Sequence, residues 1–366
     1  MKISFLTDIH VGNPKIQLKR LVDNLETIAW PEMSDSDLIL LGGDFFDCLL
    51  NINSDAGVAS IYIIDKLLDL VGEKSIYLRI LRGTFSHDRY QNRLFVERAS
   101  ALPEKDGLPL VRVLDKIEVE KFPNGMTIVY CPDDIPCKDV TESVLTAINA
   151  AHLETVDYAC CHGYWDHLLP PGLPTRPHNC LDYDKIAPKV KCRIFNGHVH
   201  TRSVWNKVVS GGSFERFRHG EEEAKGFYTA SFHEDTHTDV LSFIQNTGTI
   251  PFITLDMNIL ESNDRALSYL KRRIKDERPD EDCPIHVRIV GTDSSLIQAI
   301  KELYPKAVVT EKKNVIQVQE KVTFMTTIQD LPVITEDNLP AIIYDNVRES
   351  HPEMTLDKIK EILHAS

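Results

Sequence analysis

The chain has 366 residues, with 42% hydrophobic and 26% charged residues, a composition ordinary for a soluble protein and long enough for two domains or one large and one small. A formal net charge of −14 excludes free-standing nucleic-acid binding through a broadly basic surface. No apolar run is long enough to cross a bilayer, and Met1-Lys2 leads directly into a strand-like run, so the expected compartment is the cytoplasm, without a membrane.

Strands and helices alternate over residues 1–130. Apolar runs at Ile3–Leu6 and Leu38–Leu41 predict buried strands. Residues 15–29 set Leu18, Leu21, Val22, Leu25 and Ile28 on one helical face, and residues 58–71 repeat that spacing. From Met126 strands dominate, expected at 126–131, 156–162, 193–196, 203–209, 226–232 and 239–244. A proline-rich loop at 170–177 separates two histidine motifs. A boundary is expected at Asn246-Thr247-Gly248, where a second α/β pattern begins: helix 265–275, strand 285–290, helix 294–303 and strand 315–318. Two short amphipathic stretches, 339–349 and 355–364, close the chain. The eight cysteines form no C-x-x-C pair, which favours reduced core thiols over disulfides or structural zinc.

Five short strings end in side chains that ligate metals: Asp8-Ile9-His10, Gly42-Gly43-Asp44-Phe45-Phe46-Asp47, Ser86-His87-Asp88, Cys161-His162-Gly163 and Gly197-His198-Val199-His200. Four directly follow strand-like runs, and the third follows one across a short turn. In open α/β sheets the loops beyond the carboxyl ends of strands gather such groups. Asp8 and His10 are expected to point one way by the period of two along a strand. The two glycines before Asp44 let its carboxylate approach a cation closely, which makes it the natural bridging ligand. His198 and His200 flank Val199 on one face. His162 alone reads as a core histidine and becomes a ligand candidate only in this company. Imidazole and carboxylate donors at five strand ends suit a pair of divalent ions sharing one carboxylate. Arg82, Arg89, Arg93 and Arg98 crowd the third string as candidate phosphate contacts, with a solvated helix face the equal alternative for the outer two.

The order D-x-H, G-D-x-x-D, x-H-D, H-G, G-H-x-H resembles the calcineurin-like metallophosphoesterase superfamily. Within it, Gly43-Asp44-Phe45-Phe46-Asp47 resembles the nuclease subunits of SbcCD-type repair complexes, and so do Gly211-Gly212-Ser213-Phe214-Glu215-Arg216 and Gly220-Glu221-Glu222-Glu223-Ala224-Lys225-Gly226-Phe227. The resemblance covers about residues 1–255. It implies an α/β fold with a two-sheet sandwich flanked by helices over 1–250, a small α+β capping domain over 251–334 and a partner-binding helical tail over 335–366. It also implies a Mn(II)-dependent DNA exonuclease or endonuclease, with Mg(II) or Zn(II) as other metals. The implied partner is an SbcC-type SMC-like ATPase, around a homodimer within a heterotetramer. One ion would be held by Asp8, His10, Asp44 and His200, the other by Asp44, Ser86, His162 and His198. His87 would contact the phosphate in catalysis, oriented by Asp47. One departure stands out: where the family reads G-N-H-[DE], this chain reads Gly83-Thr84-Phe85-Ser86-His87-Asp88, with serine in place of asparagine and two residues inserted. A small-molecule or protein metallophosphatase is the alternative enzyme; the arginine-glycine usual after G-D-x-x-D in protein phosphatases is replaced by Cys48-Leu49.

Overall fold

The computed structural model describes residues 1–312, apart from 134, 138, 170–179, 278–282 and 292–293, together with Lys358. The chain divides into Met1–Lys313 and Asn314–Ser366. The expected strand at 315–318 and the expected tail helices, Lys358 apart, lie outside the described residues, as does the far end of the expected capping domain.

Two six-stranded mixed sheets carry the first 250 residues. One contains β1 (Lys2–Leu6), β2 (Leu38–Leu41) and β3 (Tyr77–Leu81) in parallel, continued by Val111–Leu114 on one side and by the antiparallel pair Gly226–His233 and Thr238–Gln245 on the other. The other runs Ser203–Trp205, Val208–Ser210, Val190–Gly197, Val156–His162, Thr127–Cys131 and Glu118–Lys121, its central four strands parallel. Period-two alternation explains why the central strands are apolar throughout. Ile128 and Tyr130 enter a core shared by both sheets, while Val129 and Cys131 enter one with Val144 and Ile148 of the helix Val140–Ala150. In the shared core Phe5 stacks on Phe195 at 4.9 Å. Arg79, buried on β3, clamps the sheets by a bidentate pair of 2.8 Å bonds to Glu120.

The helix Asp55–Lys74 contains the expected 58–71 span; Ser54 caps its first turn by accepting from the Gly57 amide. The helix expected at 15–29 begins only at Leu18 and widens to a π-helical turn at Leu25–Ala29 before Trp30–Met33. Pro31 supplies the reason: it has no N–H for the ladder, and its ring would crowd the carbonyl four residues back, which the wider turn relieves. The strand expected at 203–209 is instead a hairpin, turning where Asn206 adopts φ 50°.

A third sheet starts at Phe252. Its strands Phe252–Asp256, Ile285–Val290 and Ala307–Lys312 are all parallel, and the helices Asn263–Glu277 and Ser294–Leu303 share a separate core with them. Among the described residues no helix is long and apolar enough to cross a membrane.

Candidate metal centre

The parallel strands of both large sheets end on one rim, and the five strings leave from it. After β1 and β2 the chain runs as a pair of linked loops: the amides of Asp8, His10 and Val11 donate to the carbonyls of Gly43, Asp44 and Phe45. Across the second sheet, Gly197 registers with His162, so His198 emerges beside it. Asp8, His10, Asp44 and His198 all have left-handed backbones, with φ of 52°, 51°, 51° and 74°. Non-glycine residues rarely hold this region, and such strain gathers at functional sites. It also corrects the expected geometry of Asp8-Ile9-His10. β1 ends at Leu6, and these two side chains converge through left-handed turns rather than a strand pleat. Glycine is required next to them: a Cβ on Gly43 would lie 2.3 Å from His162 Nδ1, and one on Gly83 would lie 2.2 Å from Asp44 Oδ1.

Three overlapping groups result, each with its potential ligand atoms within 4.8 Å of one another: Asp8, His10 and His200; His10, Asp44 and His87; Asp44, His162 and His198. Asp44 and His10 each belong to two. All the expected His and Asp ligands therefore meet at one rim, with His87 among them.

The outer ring nitrogens decide what the inner ones offer. His162 Nδ1 lies 2.7 Å from the Gly42 carbonyl, and His87 Nδ1 bonds the Asp47 carbonyl. His10 Nδ1 is 3.1 Å from Asp47 Oδ1, though without the alignment of a full hydrogen bond, and His200 Nδ1 is 3.6 Å from Glu221 Oε1. The carbonyl acceptors at Nδ1 of His162 and His87 place the proton there and leave a lone pair on Nε2, and the carboxylates near Nδ1 of His10 and His200 favour the same tautomer. Those lone pairs face one another and carboxylates. His10 Nε2 and His200 Nε2 are 3.1 Å apart, and His162 Nε2, otherwise unpartnered, is 3.3 Å from Asp44 Oδ2. Acceptor against acceptor is repulsive unless a cation sits between them. Two nitrogens each about 2.1 Å from one cation at about a right angle would stand about 3 Å apart, as the first pair does. The donor set fits divalent metal ions.

In the bare chain a proton takes the cation's place between His162 and Asp44. Burial opposes a charge on His162, but the Asp44 carboxylate outweighs it and raises the histidine to about 10. Burial likewise opposes charge on Asp44, yet His162, then His10 and His87, hold it well below the carboxylate range. His198 is lowered by burial and by its neighbour His162.

Ser86 is exposed on a helical turn, Phe85–Asp88. The neutral oxygen at the second group is that of Thr84. Its hydroxyl is 3.3 Å from Asp44 Oδ2 and 3.4 Å from His198 Nδ1, and its amide donates to Asp44 Oδ1 at 2.6 Å. Asp47 also differs from expectation: its carbonyl orients His87, while its carboxylate faces His10 and accepts from Asn13 Nδ2 at 2.8 Å. Burial pushes Asp47 up, but His10 and Asn13 bring it below its usual value. Asp88 is fully buried and accepts from the amides of Asp44, Phe46 and Gly83 and from Asn92, pinning the Gly-Gly-Asp loop. Sequence reading assigned no role to Asn13, Glu221 or Lys225; the Glu221 and Lys225 stretch was visible as a motif without a function. Burial opposes charge on Glu221, yet His200, Lys225 and the Phe217 amide lower it to about 2.

Of the four arginines, Arg98 pairs with Asp65, and Arg82 donates to the Asp133 carbonyl at 2.7 Å. Arg89 and Arg93 line an apolar cavity of about 420 Å³ with Phe85 and Tyr90. All eight cysteines are free thiols.

No family model matches the chain, and no curated protein does. A crystal structure of TT1561 of Thermus thermophilus is similar at 10% identity, over 66% of this chain and 98% of that one, with a TM-score of 0.37. A second crystal structure matches the same shares at 13% identity and a TM-score of 0.34. Likeness at that level carries no argument.

Proposed function

We propose that this chain is a two-metal phosphodiesterase, a Mn(II)-dependent DNA nuclease that works in the cytoplasm with an SMC-like ATPase, on a metallophosphoesterase sandwich. The observation that supports it most is the set of imidazoles whose Nδ1 atoms face oxygen acceptors, leaving Nε2 lone pairs turned on Asp8 and Asp44. Asp8, His10 and His200 would hold one ion; Asp44, His162 and His198 the other, with Thr84 beside it and Asp44 shared. Imidazole-rich donors favour Mn(II) over Mg(II), with Zn(II) the nearest competitor. When bound, such a pair neutralises charge on a phosphodiester and supplies a nucleophile at neutral pH.

The side chains do the rest. His87, with Nδ1 tied to the Asp47 carbonyl, presents Nε2 to the substrate; as imidazolium it gives a proton to the leaving oxygen, and as the neutral ring it takes one back. Asp88 holds the Gly-Gly-Asp loop through the amides of Asp44 and Phe46 and ties it to Gly83 through a third. The choice of DNA, and of an ATPase partner around a homodimer within a heterotetramer, rests on the resemblance of the Gly-Asp-Phe-Phe-Asp and Gly-Ser-Phe-Glu-Arg stretches. The partner would also supply the cationic surface that a chain at −14 lacks.

The test is to incubate the purified chain with bis(p-nitrophenyl) phosphate, p-nitrophenyl phosphate and end-labelled DNA, with Mn(II) or EDTA. Mn(II)-dependent cleavage of the diester and of DNA is expected. Turnover of the monoester alone would make it a phosphatase, and no Mn(II)-dependent turnover would end the reading.

A further inference from the structure

The stretch Gly220–Phe227 holds three consecutive glutamates and a lysine, and its residues have distinct fates. Glu222 pairs with Arg273 on the helix Asn263–Glu277 at 3.7 Å. Glu223 pairs with Lys225 at 2.8 Å. Glu221 turns inward and is 2% exposed, and Lys225 is 1% exposed. Burying an ammonium and a carboxylate costs several kcal/mol each unless both are well partnered. Here both are. Lys225 Nζ donates to Ser213 Oγ at 3.0 Å and to the His200 carbonyl at 2.8 Å, and lies 3.4 Å from Glu221 Oε2. Glu221 accepts from the Phe217 amide at 3.2 Å and from Arg218 Nε at 3.0 Å.

What this pair grips is His200. Lys225 holds its backbone through the carbonyl, and Glu221 Oε1 stands 3.6 Å from its Nδ1. The ring is further confined by Phe217, edge-on at 5.0 Å. Its Nε2 is thereby aimed at His10 Nε2, 3.1 Å away, and at Asp8, 3.7 Å away. A carboxylate behind an imidazole fixes the tautomer and makes the far nitrogen a better donor.

We propose that Glu221, locked by the buried Lys225, is a positioning residue that keeps His200 in the Nδ1–H tautomer with its Nε2 lone pair in the first metal group. This rests on the reading that Asp8, His10 and His200 hold a metal. A loop-bracing role for Glu221 is the plain alternative, since it also ties down Phe217 and Arg218. Such a brace would leave the ring's proton where it is.

The experiment compares the full chain with Glu221→Gln and Glu221→Asp. Metal-free protein labelled with 15N-histidine reports the His200 tautomer by NMR, assigned against His200→Gln, and Mn(II) titration followed by EPR reports affinity. The parent should show His200 protonated at Nδ1. Glu221→Gln should shift it toward a tautomer mixture and weaken one of the Mn(II) ions by about 10–100-fold, the usual cost of losing such an outer carboxylate. Glu221→Asp, which keeps a charge for Lys225, should fold even if the glutamine variant does not, and should give the same changes in smaller measure. An unaltered tautomer in whichever variant folds would overturn the proposal. A parent that shows the expected tautomer but binds no Mn(II) would instead overturn the metal reading beneath it.

Discussion

The two outer metal groups contain the same kinds of ligand but are backed differently. In the first, His10 and His200 have carboxylates behind them, Asp47 at 3.1 Å and Glu221 at 3.6 Å. In the second, His162 is backed by the neutral Gly42 carbonyl, and the Thr84 hydroxyl stands between Asp44 and His198. A charged acceptor raises the basicity of the ligating nitrogen more than a neutral one. On the proposed two-metal reading, the first group would be the tighter site and the second the more exchangeable one. Ligands alone do not rank two sites; what stands behind them does.

Removing the shared carboxylate should abolish the difference between the groups by emptying both. Asp44→Ala takes a ligand from the second group and the oxygen facing His10 from the first. Metal analysis should show both ions lost and diester hydrolysis at background. His87→Ala tests whether the third group is chemical rather than metal-holding. Turnover should fall by about 10²–10⁴ with both ions retained, and loss of an ion by metal analysis would move His87 among the ligands.

The ranking itself is probed at the weaker site. Thr84→Val removes the hydroxyl beside Asp44 and His198 and should raise the Mn(II) needed for half-maximal rate by about tenfold or less. Ser86→Ala, on an exposed turn, should leave it unchanged. A reversed result would return Ser86 to the second group.

A milder consequence is thermodynamic. In metal-free protein His162 has a folded pKa of about 10 against an ordinary 6.5. Its charged form thus stabilises the fold fully below pH 6.5, and that stabilisation is lost as pH rises through 10. Melting temperature in EDTA should fall by several degrees between pH 7 and 10. The fall should flatten in His162→Gln and in Mn(II)-loaded protein, where the ion takes the proton's place.

The strand ends, the metal-binding residue types and most of their groupings were legible before any fold was known. Each of the five strings is local, and glycine beside aspartate or histidine after an apolar run reads without knowledge of its surroundings. Which atom of each residue acts depended on the packed molecule. The resemblance made Ser86 the expected ligand, but the helical turn Phe85–Asp88 exposes Ser86 and leaves Thr84 facing Asp44. Asp47 divides its carbonyl and carboxylate between two histidines because the loop after β1 brings His10 to it and the helical turn after β3 brings His87. Glu221 sits 21 residues beyond His200 in sequence, and the packed stretch, with the buried Lys225 bonded to the His200 carbonyl, brings it back onto that ring. Ligand identity is written in short strings, whereas ligand orientation depends on backbone turns and on acceptors remote in sequence, which exist only once the sheets have packed.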